Sequence, residues 1–359
     1  MKENRINNVI KEMQKNNLTQ MIVSSPSSLF YLTGKWFHPG NRMVTLLIKT
    51  NGEHKLVNNK LFPVEEDLGI DIVWYDDIEN PVEILAKYVD KEAVLGIDKT
   101  WPAHFLLSLM KINAAKNYEN SSPIIDNLRM IKDAEEIELM KEASRRNDET
   151  MKELWKHLEE GKTEEECTEI LKDLYAKNGM NKFSFPPIIA VSPNGADPHH
   201  ETDNSAIKSG HSIVIDMGGV YKDYCSDMTR TVFFKEEPSE EHKKIYNIVK
   251  EANERAIAII KPGVKFKEID NAARSYIEEM GYGEYFTHRT GHCIGIDCHD
   301  FGDVSAANNN EVKPGMIFSV EPGIYLSGDI GVRIEDLVLV TEDGHERLNK
   351  VTKELTVIK

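Results

Sequence analysis

Short apolar runs alternate with short amphipathic stretches over the first third of the chain: MIVSS at 21, MVTLLIKT at 43, DIVWYDD at 71 and AVLGID at 93. Strands alternating with helices predict a layered α/β domain. Between the runs lie an amphipathic helix with Ile6, Val9, Ile10 and Met13 on one face, an Asn51-Gly52 hairpin turn, and a helix opened by Pro81 that carries Ile84, Leu85 and Tyr88. No glycine loop that could cradle a phosphate interrupts this half, which argues against a nucleotide site.

After SSPIIDNLRMIKD the apolar period lengthens to that of long helices, and the change divides the chain into domains 1–125 and 126–359. The first long helix spans about 134 to 160 and stops at Gly161. Thr163 with Glu166 forms a capping box for a second helix, apolar at Ile170, Leu171, Leu174 and Tyr175, which ends before Gly179. Strands follow. The plan then repeats: Ser239 caps a helix bearing Ile245, Ile248, Val249, Ala252 and Ile260, closed by Lys261-Pro262-Gly263, and a fourth helix runs to Met280-Gly281 before more strands. A helix pair followed by strands, used twice, predicts a pseudo-duplicated α+β domain, although no residue-level repeat is visible.

The 359 residues carry 44 Lys plus Arg against 60 Asp plus Glu, a net charge of −16 that repels phosphate backbones and anionic lipid. The expectation is therefore no nucleic acid and no membrane partner. No run reaches the roughly 18 to 20 apolar residues of a membrane span, and the charged start MKENRINNVIKEM lacks the apolar centre of a secretory leader, so a cytoplasmic location is expected. Cys167, Cys225, Cys293 and Cys298 form no CxxC pair and read as reduced thiols.

Charge placement is the chemical signal. In SIVIDMGG, Asp216 shares a strand face with Ser212 and Val214, and in CSDMTRT, Asp227 opens a second strand. Either aspartate alone is an ordinary turn acceptor. Glu321 in MIFSVEPGIY and Glu335 in GVRIEDLVLV lie among apolar residues, where a carboxylate is costly unless paired or bound to metal. HRTGHCIGIDCHD adds His288, His292 and His299 among glycines. Asp216, Asp227, Glu321 and Glu335 would repel one another, and two divalent cations balance their four charges. Oxygen donors with one imidazole, His292, favour Mn²⁺, Co²⁺ or Zn²⁺.

The ordered segments LRMIKDAEEI, PNGADPHH, IDMGG, CSDMTRT, TGHCIGIDCHD, SVEPGIY and VRIED resemble the pita-bread metallopeptidases, specifically the Xaa-Pro peptidases that include prolidase. YLTG at 31 and the strand-helix order resemble the creatinase-type N-terminal domain of that family. The resemblance implies two metals, manganese first, on Asp216, Asp227, His292, Glu321 and Glu335, with Asp227 and Glu335 bridging. It implies Glu321 as proton carrier, His299 as oxyanion donor and His199 near the leaving group. On sequence alone His200 is an equal candidate for that last position. Arg333 is a candidate for a substrate carboxylate or for neutralising Glu335. Cys293 and Asp300 stand where the family usually has glycine and glutamate.

The implied reaction is hydrolysis of the bond before a proline at the second position of a small peptide, a tertiary amide without an N–H. A dipeptidase leads. An Xaa-Pro aminopeptidase, a creatine-type C–N hydrolase and a metal-free binding protein of the same fold are the rivals. Family members are commonly homodimers. GKWFHPGNR at 34, with Trp36, His38 and Arg42, is either a solvated turn or a loop that closes a partner's site, with His38 and Arg42 binding substrate and Arg42 gripping a carboxylate.

Overall fold

The computed structural model describes residues 1–359, which divide into two compact units, Met1–Arg129 and Met130–Lys359. The pattern change at 125/126 falls inside the helix Ser122–Met130, nearly all of which belongs to the first unit.

In the first unit the apolar runs become β1 (Gln20–Val23), β2 (Thr45–Lys49), β4 (Asp71–Tyr75) and β5 (Val94–Ile97). With β3 (Lys55–Asn59) and β6 (Asn117–Asn120) they form one sheet in the order β4-β3-β2-β1-β5-β6. Asn51-Gly52 turns the chain between antiparallel β2 and β3, with Gly52 at φ 87°. The helix Glu3–Lys15 buries Ile6, Val9 and Met13 as its period requires. Asn80 accepts from the Val82 amide and, with Pro81, starts the helix Pro81–Ala86. Sequence periodicity does not reveal β6, an edge strand of sequence NYEN with mostly exposed side chains. It also misses the helix Pro26–Thr33, which buries most of its circumference and so has no polar face to set a period.

The second unit follows the duplicated plan. The helices Ala134–Trp155 and Glu164–Lys177 pack over the strands Ile188–Val191, Ser212–Met217 and Met228–Phe234 around one apolar core. The helices Glu240–Ala258 and Phe266–Glu279 share a second core with the strands Ile317–Val320 and Asp336–Val340. Asp133 and Thr163 both make the capping box that opens their helix.

The two halves meet along a polar seam. The Glu335 amide donates to the Thr229 carbonyl at 3.1 Å, and the Thr231 hydroxyl both donates to the Arg333 carbonyl and accepts from its amide. Arg230, 1 % exposed, spans the seam by donating to the carbonyls of Thr229, Glu335, Val351 and Thr352 and to Asp336 Oδ1 at 2.7 Å. Burial alone would raise the Asp336 pKa. Arg230, Lys353 and Arg347 outweigh it and hold that carboxyl below its usual range.

Arg230→Ala should therefore lower stability by roughly 3–5 kcal/mol, because it strips a buried carboxylate of its main partner and frees several carbonyls. Urea unfolding checks this, and a loss under about 1 kcal/mol would mean that Lys353 and Arg347 suffice.

Candidate metal centre and active site

Four carboxylates stand near strand ends, where the backbone ladder stops and side chains from different strands converge. Asp216 lies near the end of Ser212–Met217, paired with Thr229 across the ladder. Asp227 directly precedes Met228–Phe234, Glu321 directly follows Ile317–Val320, and Glu335 bridges Ile330–Arg333 and Asp336–Val340. His292 comes from the short strand Gly291–His292, pressed so closely on its neighbour that a Cβ at Gly291 would lie 1.9 Å from the Ser319 carbonyl. Glycine is obligatory there.

These five side chains lie in a cavity of about 870 Å³. One donor atom each from Asp227, His292 and Glu335 lie within 4.8 Å of one another. His292 Nε2 is 3.5 Å from Asp227 Oδ2 and 3.6 Å from Glu321 Oε1. Its Nδ1 meets the Cys293 carbonyl at 3.2 Å, which fixes the proton there and leaves the Nε2 lone pair facing the carboxylates. Burial holds His292 neutral, its pKa lowered to about 3, with His299 adding to the effect.

Apart from Arg333 on Asp216, the carboxylates lack counter-charge. Burial pushes Asp227 well above its ordinary pKa, with Asp216 and Glu321 adding repulsion, and pushes Glu335 in the same direction, with Asp227, Glu321 and Asp216 adding theirs. Glu321 rises to about 7 for the same first reason, against the pull of Arg333. Asp216 Oδ1, Asp227 Oδ1 and Glu335 Oε1 are buried without any hydrogen-bond partner. Buried orphan acceptors are costly. Hard divalent cations satisfy all three, so the donor set fits the metals that the sequence implies.

Outside this centre the structure separates the sequence candidates. His299 and His199 both line the cavity, and the His299 ring centroid is 4.1 Å from that of His292. His200 also lines it, but its Nε2 is bound to Glu164 at 2.7 Å, which leaves His199 as the unengaged imidazole of the pair. Glu164, wholly buried, also accepts from the Val191 and Asp203 amides and from Asn194, so one carboxylate shapes the loop that carries both histidines. Arg333 donates to Asp216 Oδ2 at 2.7 Å, to the Tyr325 hydroxyl and to Thr229 Oγ1, so it pairs with Asp216 and not with Glu335. His288 continues that chain through Tyr325, at 2.8 Å.

Every residue lining the cavity belongs to the second unit. In the first unit Arg42 is forked onto Asp77 at 2.8 and 2.7 Å, and His38 stacks on Trp36, which stacks on Phe30. Cys293, the family departure, is buried in the apolar core. The thiol at the centre is Cys298, which donates to Asp227 Oδ2 at 3.4 Å. Glu164, Tyr325 and Cys298 escaped sequence reading. The Thr163 capping motif accounted for the region of Glu164 as a helix start, and nothing local distinguishes the other two.

The chain belongs to metallopeptidase family M24, which residues 138–342 match, and residues 5–131 match the creatinase/prolidase N-terminal domain. It is thus a metal-dependent peptidase with a creatinase-like domain ahead of a pita-bread catalytic domain. An uncharacterised peptidase of Staphylococcus aureus is 36% identical over 354 residues, 97% of this chain and 99% of its own. The solved prolidase of Thermococcus sibiricus is 36% identical with a TM-score of 0.94, covering 99% of both chains. An X-Pro aminopeptidase of Thermotoga maritima is 29% identical with a TM-score of 0.82, covering 97% of this chain and 100% of that one.

Asp227→Asn should cut bound metal, measured by elemental analysis of the purified chain, and abolish turnover, because an amide cannot neutralise a cation. Wild-type metal content would reject the centre. A second outcome concerns pH. In metal-free protein Glu321 titrates at about 7 when folded against 4.5 ordinarily, so the folded chain holds the extra proton between those values. Stability contributed below pH 4.5 is then lost as pH rises through about 7, by on the order of 3 kcal/mol at most. Thermal melts of chelated protein should fall across that window, and melts of the metal-loaded protein should not.

Proposed function

We propose that the chain is an Xaa-Pro dipeptidase in which Asp216, Asp227, His292, Glu321 and Glu335 would hold two divalent cations, manganese first with Co²⁺ or Zn²⁺ as alternatives. The observation that carries this reading is the set of buried, partnerless carboxylate oxygens beside the His292 lone pair. The cavity above that centre has an apolar wall of Phe185, Pro186, Pro187 and Ile188, suited to a pyrrolidine ring. Likeness to a prolidase along nearly the whole chain supports the same substrate class.

When bound, the ions supply Lewis acidity, which polarises a carbonyl and lowers the pKa of water from about 16 towards about 7. The residues do the rest. Glu321, steadied by the Ser319 hydroxyl at 3.2 Å, takes a proton from the attacking water and delivers it to the proline nitrogen, which as a tertiary amide has none of its own. His299, whose pKa burial lowers, is neutral near pH 7 and donates one N–H to the oxyanion. His199, the imidazole that Glu164 leaves free, faces the leaving group. Arg333, with all of its contacts inside the site wall, orients Asp216. The fork between Arg42 and Asp77 is exposed to solvent and serves to set the 34–42 loop.

A homodimer belongs to the same proposal. Leu107, Met110 and Ile112 leave apolar surface at 62%, 47% and 42% exposure along and just beyond the helix Ala103–Lys111, and sedimentation velocity is the check. The aminopeptidase reading has the similarity to the Thermotoga maritima enzyme in its favour.

His299→Ala should retain its metal and lose roughly 10²- to 10³-fold in kcat, as expected for one oxyanion donor. Metal loss in that variant would make His299 a ligand instead. Ala-Pro should be cleaved with at least tenfold higher kcat/KM than Ala-Pro-Ala, and the reverse order would favour the aminopeptidase.

A further inference from the structure

A dipeptide brings its own carboxylate to the site. In Xaa-Pro the terminal carboxylate is two bonds from the scissile nitrogen, so it must enter the same cavity as the reacting bond. That cavity already contains Asp216, Asp227, Glu321 and Glu335, with Glu201 also in its lining. Among the side chains that line it, an arginine with nitrogens to spare is the one best suited to bind the incoming anion.

Two arginines suggested by the sequence are already spent. Arg333 gives its nitrogens to Asp216, Tyr325 and Thr229, and Arg42 gives its fork to Asp77. Arg289 remains. It lines the cavity, its side chain is exposed, and it makes no ion pair and no side-chain hydrogen bond. Its charge is felt at the centre, where it helps to lower the pKa of His299, His292 and Glu321.

The backbone around this free side chain is firmly held. Asp270, wholly buried in the helix Phe266–Glu279, accepts a fork from Arg274 and the Thr290 hydroxyl at 2.7 Å. Arg274 in turn donates to the carbonyls of Phe286 and His288. The His288 ring is tied to Tyr325, and the Glu321 amide donates to the Thr290 carbonyl at 2.7 Å. Residues on both sides of Arg289 are thus fixed while its guanidinium is left open to the cavity. That is the arrangement of a preorganised binding group.

We propose that Arg289 receives the α-carboxylate of the dipeptide and thereby makes the enzyme prefer dipeptides to longer chains. The proposal rests on the Xaa-Pro reading above. A guanidinium can meet a carboxylate with two parallel charged hydrogen bonds, whereas a longer peptide presents a neutral amide at that point and gains neither.

The test uses the metal-loaded full chain and its Arg289→Ala and Arg289→Lys variants, assayed on Ala-Pro, on Ala-Pro amide and on Ala-Pro-Ala. Melting temperature and metal content should match wild type, since the side chain is exposed and bonded to nothing. In Arg289→Ala the KM for Ala-Pro should rise about 10- to 100-fold with kcat changed by less than about threefold, the usual worth of a charged hydrogen-bonding pair. Ala-Pro amide should be unaffected, and Arg289→Lys should recover part of the loss. If wild type prefers Ala-Pro and the variant keeps that preference, this inference falls alone. Equal losses on Ala-Pro and its amide would also overturn it. Wild type that cleaves Ala-Pro-Ala as well as Ala-Pro overturns the dipeptidase reading, and the role of Arg289 with it.

Discussion

Four carboxylates around one neutral imidazole, with Asp227 and Glu335 buried and Asp216 and Glu321 half-buried, are the constraint on which the rest of the catalytic unit depends. Burial pushes the pKa of Asp227, Glu335 and Glu321 upward, and repulsion from the neighbouring carboxylates adds to it. The fold brings them together by taking each from a different strand end, so that sheet pairing and two apolar cores supply the stability that the site consumes. Cations complete the balance from outside the chain. The partial relief built into the protein is Arg333 on Asp216, the Thr229 hydroxyl on Glu335 and the Ser319 hydroxyl on Glu321.

Adjacent acids show how position decides role. Glu335 and Asp336 are neighbours on opposite faces of one strand end, both almost wholly buried. Asp336 meets Arg230, Lys353 and Arg347 and is held ionised as part of the framework. Glu335 faces the seam with an oxygen that nothing satisfies. The period-two alternation of the strand sends one carboxylate into a cationic cage and the other into the metal centre. Buried Asp270 and Glu164 follow the framework pattern: each is saturated with donors, and each holds a loop that lines the cavity.

These loops explain how a rigid site can be built without long elements. His292 stands in a two-residue strand, and Glu321 and Asp227 fall just outside strands. Their precision comes from close backbone approach and side-chain clamps. A Cβ at Gly331 would lie 1.6 Å from the carbonyl of Gly195, which ties the loop before the two histidines to the strand bearing Arg333. Arg274 and Glu164 do by hydrogen bonding what glycine does by absence of a side chain.

Much of this was written locally in the chain. The alternation of apolar runs and helices, the capping residues Thr163 and Ser239, and the repeated helix pair placed most elements because they depend on neighbours within a turn or a pleat. The acids Asp216, Asp227, Glu321 and Glu335 stood out for the same local reason: charge inside apolar strands demands compensation. Tertiary structure alone decided what each long polar side chain meets. It bound His200 to Glu164 and left the His199 imidazole unengaged, spent Arg333 on Asp216 and Arg42 on Asp77, drew Cys298 to the centre while burying Cys293, and left Arg289 open. The reason is physical: periodicity fixes the direction of a side chain from its own backbone, but the partner of a charged group comes from wherever in the sequence the fold has brought an opposite charge.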